Sequence, residues 1–130
     1  MNYYIGQTAH FSKTVTESDI YGFAGISGDF NPVHVNRVGA EHSIFKKQIA
    51  HGLLGASFIS TVIGMYLPGP GTIYMKQNLK FTSPVYIGDT ITATVSIEDI
   101  QKENAVLNTI VTNQNGDVVI DGDALVKLPK

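Results

Sequence analysis

Between Phe23 and His34 the chain reads FAGISGDFNPVH, with an aspartate and a histidine five residues apart. A carboxylate and an imidazole are side chains that take up and return protons near neutral pH. Pro32, between them, lacks an amide donor and pushes Asn31 out of helical backbone angles. The segment is therefore expected to stay out of helix, which lets Asp29 and His34 face one cavity. Further on, Ala50-His51-Gly52 precedes a long apolar run, placing Gly52 at a helix start. Amides there lack partners and the helix dipole favours negative charge. Without a side chain, Gly52 also lets a carbonyl approach the backbone. These three residues suit acid–base chemistry beside a carbonyl whose oxygen gains negative charge.

Each of these residues also has a structural reading. Gly-Asp-x-Asn-Pro is good turn chemistry, so Asp29 alone could merely cap a loop. An isolated histidine is usually buried and hydrogen-bonded, but the spacing of His34 from Asp29 favours a shared role. Asn31 reads as a loop-holding side chain and Pro32 as structural. His51 reads as a helix cap before a pocket wall. Ser60 lies mid-helix among apolar neighbours and is expected to bond back to Ala56, the other reading being contact with the acid–base pair. Asp29, His34, His42 and His51 invite a metal reading, yet their spacings match no standard zinc pattern, and no metal is expected. His10 reads as strand surface.

The elements that must position these groups follow from periodicity. Residues 8–15 form a short first strand. Thr16 then suits a helix N-cap, with Asp19 completing a capping box. Ile20, Phe23, Ala24 and Ser27 share one helical face, and Gly28 is a natural stop. A second short helix is expected from Arg37 to Ser43. The apolar stretch Gly52 to Leu67 forms the main helix, its stripe of Leu53, Leu54, Phe58, Ile59, Val62 and Ile63 reading as core first and acyl tunnel second, and Pro68-Gly69-Pro70-Gly71 closes it. Ile73, Met75, Leu79 and Phe81 mark a strand ending near Pro84. Ile91, Ala93, Val95 and Ile97 alternate with polar residues as a half-buried strand. Residues 104–113 and 117–128 make two more strands, joined near Asn115-Gly116. Helices followed by a run of strands give an α+β fold, an antiparallel sheet with a helix laid on one face. Its open edges lead us to expect a homodimer with a joined sheet.

Composition narrows the rest. With 130 residues and 43% hydrophobic content, residues 1–130 are expected to form one packed domain. A formal charge of −2, from nine basic and eleven acidic residues, gives no reason to expect nucleic acid. The absence of cysteine removes disulfides, thiolate metal sites and a cysteine nucleophile. The apolar run is shorter than the ~20 residues of a membrane span, so no membrane is expected. Met1 to Phe11 carries no basic stretch followed by an apolar core, and a cytoplasmic location is expected.

Taken together, Gly28, Asp29, Asn31, Pro32, Val33 and His34, with the small residue Ala40 six positions on, form a recognisable pattern. Ala50-His51-Gly52 and the strand with Phe81 and Pro84 extend it. Over nearly its whole length the sequence resembles the MaoC-like hydratases, specifically the R-specific enoyl-CoA hydratases. That resemblance implies a hot-dog fold, in which the sheet wraps the long central helix, working as a dimer. It implies that Asp29 and His34 are catalytic and that the Gly52 amide forms an oxyanion hole. The substrate would be an acyl-CoA thioester, with coenzyme A part of the substrate and no separate cofactor.

The chemistry of such a reaction agrees with the residues. Adding water to a conjugated thioester needs a base for water, an acid for the α carbon and a donor for the enolate-like oxygen. Asp29 would orient and deprotonate the water, and His34 would position it and assist proton delivery. The division of labour between them stays open. Asn31, His51 and Ser60 are supporting candidates. Lys46, Lys47, Lys76 and Lys80 could meet the phosphates of coenzyme A, with solvated surface as the default. Two other functions compete: an acyl-CoA thioesterase of the same fold, and a non-catalytic acyl-thioester binding subunit. The intact Asp29 and His34 speak against the second, and the Asp-x-Asn-Pro-x-His segment favours hydration over hydrolysis.

Overall fold

The computed structural model describes residues 2–130. Strand β1, Thr8–Thr14, leads into helix α1, Glu17–Ser27. The start of α1 is the expected capping box: the Asp19 amide donates to Thr16 Oγ1 at 3.1 Å and the Thr16 amide to Asp19 Oδ2 at 3.0 Å. Lys13 also bonds the Asp19 carboxylate. The Lys13 ammonium, aided by the Thr16 amide, holds the Asp19 carboxyl below its ordinary range. At the other end Gly28 adopts φ 79°, and its amide donates to the Ala24 carbonyl. That left-handed turn is the stop read from the sequence.

Residues after Gly28 depart from expectation in one respect. Pro32–Val35 form a single helical turn, α2, where a non-helical stretch was predicted. Pro32 cannot extend α1, but its fixed φ and missing amide suit the first position of a new helix. Asn31 caps this turn, its Oδ1 accepting from the Val33 amide at 3.2 Å. Helix α3 follows at Arg37–Glu41, two residues shorter than expected, with Asn36 as its cap.

Helix α4, Gly52–Met65, packs against the sheet with Leu54, Gly55, Phe58, Ile59, Val62 and Ile63 buried. These pairs advance by four, the period of one helical face. Leu53 was expected in the core first and is 61% exposed, on the wall of a cavity. It precedes Leu54 by about 100° of helical rotation, enough to carry it off the sheet-facing side. Among the described residues no helix is long and apolar enough to cross a membrane.

The sheet is fully antiparallel. Its remaining strands are β2 (Ile73–Phe81), β3 (Thr90–Gln101), β4 (Asn104–Thr112) and β5 (Val118–Lys127), in the order β1-β3-β4-β5-β2. Ile91, Ala93, Val95 and Ile97 of β3 are sealed beneath α4, as alternation predicted. Gly116, at φ 81°, turns the β4–β5 connection. Packing of α4 on β3, β1 and β4 gives the α+β hot-dog arrangement. β2 behaves differently from the buried strands. It lies at the sheet edge, paired only with β5, and Ile73, Met75 and Phe81 are roughly half exposed.

Candidate active site

Asp29 is held by its own loop. Its amide donates to Ser27 Oγ, and its Oδ1 accepts from the Asn31 amide, both at 3.2 Å. This Asx turn leaves the carboxylate at an exposed loop tip. His34 sits on α2 and is buried. Its Nδ1 lies 2.8 Å from the Ile49 carbonyl oxygen, which can only accept, so Nδ1 carries the proton and Nε2 keeps a lone pair. The buried amide of Gln48 donates to the His34 carbonyl at 2.7 Å and to the Tyr21 hydroxyl at 3.2 Å. His34 is thus fixed at its ring and at its backbone.

His51 stands at the N-cap position of α4, but its side chain makes no capping bond. The cap expected from the sequence is therefore positional only. The ring turns inward to 3% exposure and stacks on His34, with centroids 3.9 Å apart and planes 26° apart. Phe23 covers it at 4.9 Å. His51 Nε2 lies 2.9 Å from the Asp29 carbonyl oxygen and donates to it. That fixes Nδ1 as the bare nitrogen, and among the described residues it has no partner. An unsatisfied buried acceptor costs about 1–3 kcal/mol. Asp29, His34 and His51 each bring one donor atom within 4.8 Å of the others.

Gly52 begins α4 beside this cluster. Among the described residues no group accepts from the Gly52 or Leu53 amides, the first bonded amide of the turn being that of Leu54, to the His51 carbonyl. A Cβ on Gly52 would fall 2.7 Å from Cε1 of Phe81, so any side chain there must displace the Phe81 ring that crosses the helix start. Asp29, His34, His51 and Gly52 all line one cavity of about 580 Å³, whose other walls include Phe45, Val85 and Ile120. One wall is thus polar and proton-active, and the rest is largely apolar.

Two expectations do not fit this cavity. Ser60 is exposed, lies outside the lining and makes no bond to Ala56. Instead Ser57 Oγ donates to the Leu54 carbonyl at 2.5 Å and Thr61 Oγ1 to Ser57 at 3.4 Å. Apolar sequence neighbours misled because Ile59, adjacent to Ser60, points a full 100° away. Asn31 supports the loop as expected. Gln48 went unnoticed: a side chain that binds a backbone carbonyl leaves no trace in residue spacing. Lys47 lies over the Tyr86 ring at 4.4 Å.

The Asp29–His34–His51 group is a poor fit for a metal ion. The two rings stack with centroids 3.9 Å apart and planes 26° apart, whereas a zinc site needs its ring nitrogens aimed at one point ~2.0–2.1 Å away. His34 Nδ1 and His51 Nε2 are moreover committed to carbonyls. What the cluster offers is acceptor capacity, a carboxylate and an imidazole lone pair, next to an unpaired amide.

Comparison with known proteins supplies the family and the fold. Residues 2–118 match the MaoC like domain family. An (R)-specific enoyl-CoA hydratase of Rhodospirillum rubrum is 52% identical over 125 residues, covering 95% of this chain and 87% of that protein. A 3-hydroxybutyryl-CoA dehydratase of Methylorubrum extorquens is 43% identical over 127 residues, covering 97% and 81%. The solved structure of an (R)-hydratase from A. caviae involved in PHA biosynthesis superposes with a TM-score of 0.95 at 39% identity, covering 98% of each chain. The match over residues 2–118, together with a relative 52% identical across most of both chains, places this chain in the MaoC-like domain family.

Proposed function

We propose that this chain is an R-specific enoyl-CoA hydratase, a hydro-lyase that adds water to a trans-2-enoyl-CoA and, in reverse, dehydrates the (R)-3-hydroxyacyl-CoA. The observation that carries the reading is the shared cavity of Asp29, His34 and Gly52, in a chain 52% identical to a hydratase of that name. A water held there finds two acceptors, the Asp29 carboxylate and the bare Nε2 of His34. With both hydrogens engaged, its oxygen lone pair is free to attack the β carbon. The C=C electrons move toward the thioester, whose oxygen becomes enolate-like and accepts a hydrogen bond donated by the Gly52 N–H. The proton lost by water is returned to the α carbon from the same wall. Each acid–base group typically contributes ~10²–10⁴ in rate and one oxyanion donor ~10²–10³. Together they are adequate for hydration with no metal or redox cofactor.

The same reading includes one catalytic domain, a cytoplasmic location and a homodimer. The exposed apolar side chains on edge strand β2, Ile73, Met75 and Phe81, are the surface a second copy would cover. The test is direct. Purified protein with crotonyl-CoA should bleach the conjugated enoyl absorbance and yield only the R alcohol. No turnover at any acyl length, or release of free thiol from saturated acyl-CoA in its place, ends the reading.

A further inference from the structure

His51 has no task in the hydration chemistry as described, yet it is among the most constrained polar side chains of the site. Its Nε2–H is committed to the Asp29 carbonyl at 2.9 Å. Its ring face lies against His34 at 3.9 Å and against Phe23 at 4.9 Å. Its backbone carries the chain directly into Gly52. The ring is 3% exposed and leaves Nδ1 without a partner among the described residues. A buried histidine selected for packing alone would be served by an apolar ring, which strands no lone pair.

We propose that His51 is a positioning residue that sets the Asp29 carboxylate and the His34 ring in register with each other. Asp29 lies in an exposed loop, tied by two bonds within that loop. The His51 bond, spanning 22 residues, anchors that loop to the head of α4. His34 is already fixed along its ring plane by Ile49, and tilt about that bond is what the stacked His51 face restricts. One side chain thereby references both acceptors to the helix start that presents the Gly52 amide. His51 touches neither water nor thioester in this role. It acts through its two neighbours.

The proposal rests on the hydratase reading, and substitutions can separate the two. The side-chain amide of glutamine reaches where Nε2 of histidine lies, and that of asparagine reaches only where Nδ1 lies. H51Q therefore keeps the donor to Asp29, H51N removes it, and H51F keeps a ring against His34 without a donor. With crotonyl-CoA, H51N and H51F should lose kcat by about 10²-fold, the scale of ~1 Å misplacement of reacting groups, with KM within about threefold. H51Q should recover at least ~10-fold of that loss. A merely structural role would not distinguish glutamine from asparagine once both are shown folded by circular dichroism and Tm. Nitrogen-15 NMR of the unsubstituted protein gives a readout independent of turnover: His51 should show a protonated Nε2 and a bare Nδ1. H51N or H51F within threefold of wild-type kcat, or the opposite tautomer, overturns the positioning role. A wild-type chain with that tautomer and no hydration overturns the functional reading alone.

Discussion

Nδ1 of His34 and the carbonyl oxygen of Ile49 lie 2.8 Å apart, inside the protein, fifteen residues apart in sequence. The carbonyl has no proton to give, so the bond orients the ring and selects the tautomer together. The nitrogen left bare belongs to a ring that lines the cavity. Removing the whole side chain would also strand the Ile49 carbonyl, mixing a folding effect with a chemical one. H34N avoids this, because its amide reaches the position of Nδ1 and can still donate to Ile49. Turnover of crotonyl-CoA by H34N should fall by ~10²–10⁴, with Tm close to wild type. Near-normal kcat would remove His34 from the chemistry.

D29N makes the complementary test. The Asp29 carboxylate is exposed, and its Oδ1 accepts from the Asn31 amide. An asparagine oxygen accepts that same bond, so the loop should persist while the base is lost. The expected result is a drop in kcat of ~10²–10⁴ with unchanged urea midpoint. A large loss of stability would instead assign Asp29 a structural task.

Gly52 and Phe81 form a second separable pair. An added Cβ at Gly52 would meet Phe81 Cε1 at 2.7 Å and Cδ1 at 2.8 Å. Phe81 is half exposed, so its ring can swing away, and the cavity wall should deform before the helix does. G52A is expected to lose ~10²–10³ in kcat/KM, the scale of one oxyanion donor. F81A in the same chain relieves the clash but leaves the methyl group over the amide. Full recovery in the double variant would mean that Phe81, not the Gly52 amide, set the loss.

The sequence already made much of this arrangement readable, because the relevant signals were local. Thr16 and Asp19 bond each other three residues apart, Gly28 needs only its own φ, and Ile91 to Ile97 alternate within one strand. Asp29, His34 and Gly52, read from a motif, line one cavity. Side-chain direction across elements was less legible. His51 turned inward onto His34 because the α1–α2 loop packs above it, a contact 22 residues away that spacing does not encode. Ser60 and Leu53 faced away because the phase of α4 is set by the sheet beneath it. Strand order, with β2 beside β5 at the edge, is likewise a long-range outcome.

Away from the site, Asp19 gives a prediction about pH. Lys13 first, and the Thr16 amide second, lower its folded-state value below the ordinary 3.8. A carboxyl depressed on folding contributes stability that is complete above its unfolded value and lost as pH falls through the folded one. The Tm gap between wild type and D19N should therefore be steady from about pH 5 upward and should close below 3.8. T16A should cost about 1 kcal/mol at all these pH values through the lost cap. A D19N gap that widens in acid would contradict the sign.

Gly122 links the edge strand to the core. It pairs with Thr109 on one side and Leu79 on the other. A Cβ there would fall 2.1 Å from the Asn78 carbonyl oxygen and 3.1 Å from Gln77 Nε2. The vacancy lets the Gln77 amide pass over Gly122 to the fully buried Thr109 hydroxyl at 2.8 Å. G122A must therefore move β2 backbone as well as a side chain. Overpacking typically costs ~1–3 kcal/mol, and leaving Thr109 unpaired adds ~1–3 kcal/mol. Q77A strands the Thr109 hydroxyl and removes the exposed partner of the Tyr74 hydroxyl and of the Asn78 and Asp123 carbonyls, but moves no backbone. It should therefore be the milder change. G122A should remain destabilising in the Q77A background because the Asn78 carbonyl is still in the way. Since β2 ends at Phe81, against the cavity, G122A should also raise KM for crotonyl-CoA while Q77A should not. Equal urea midpoints for G122A and wild type would show that β2 does not need the close approach at Gly122.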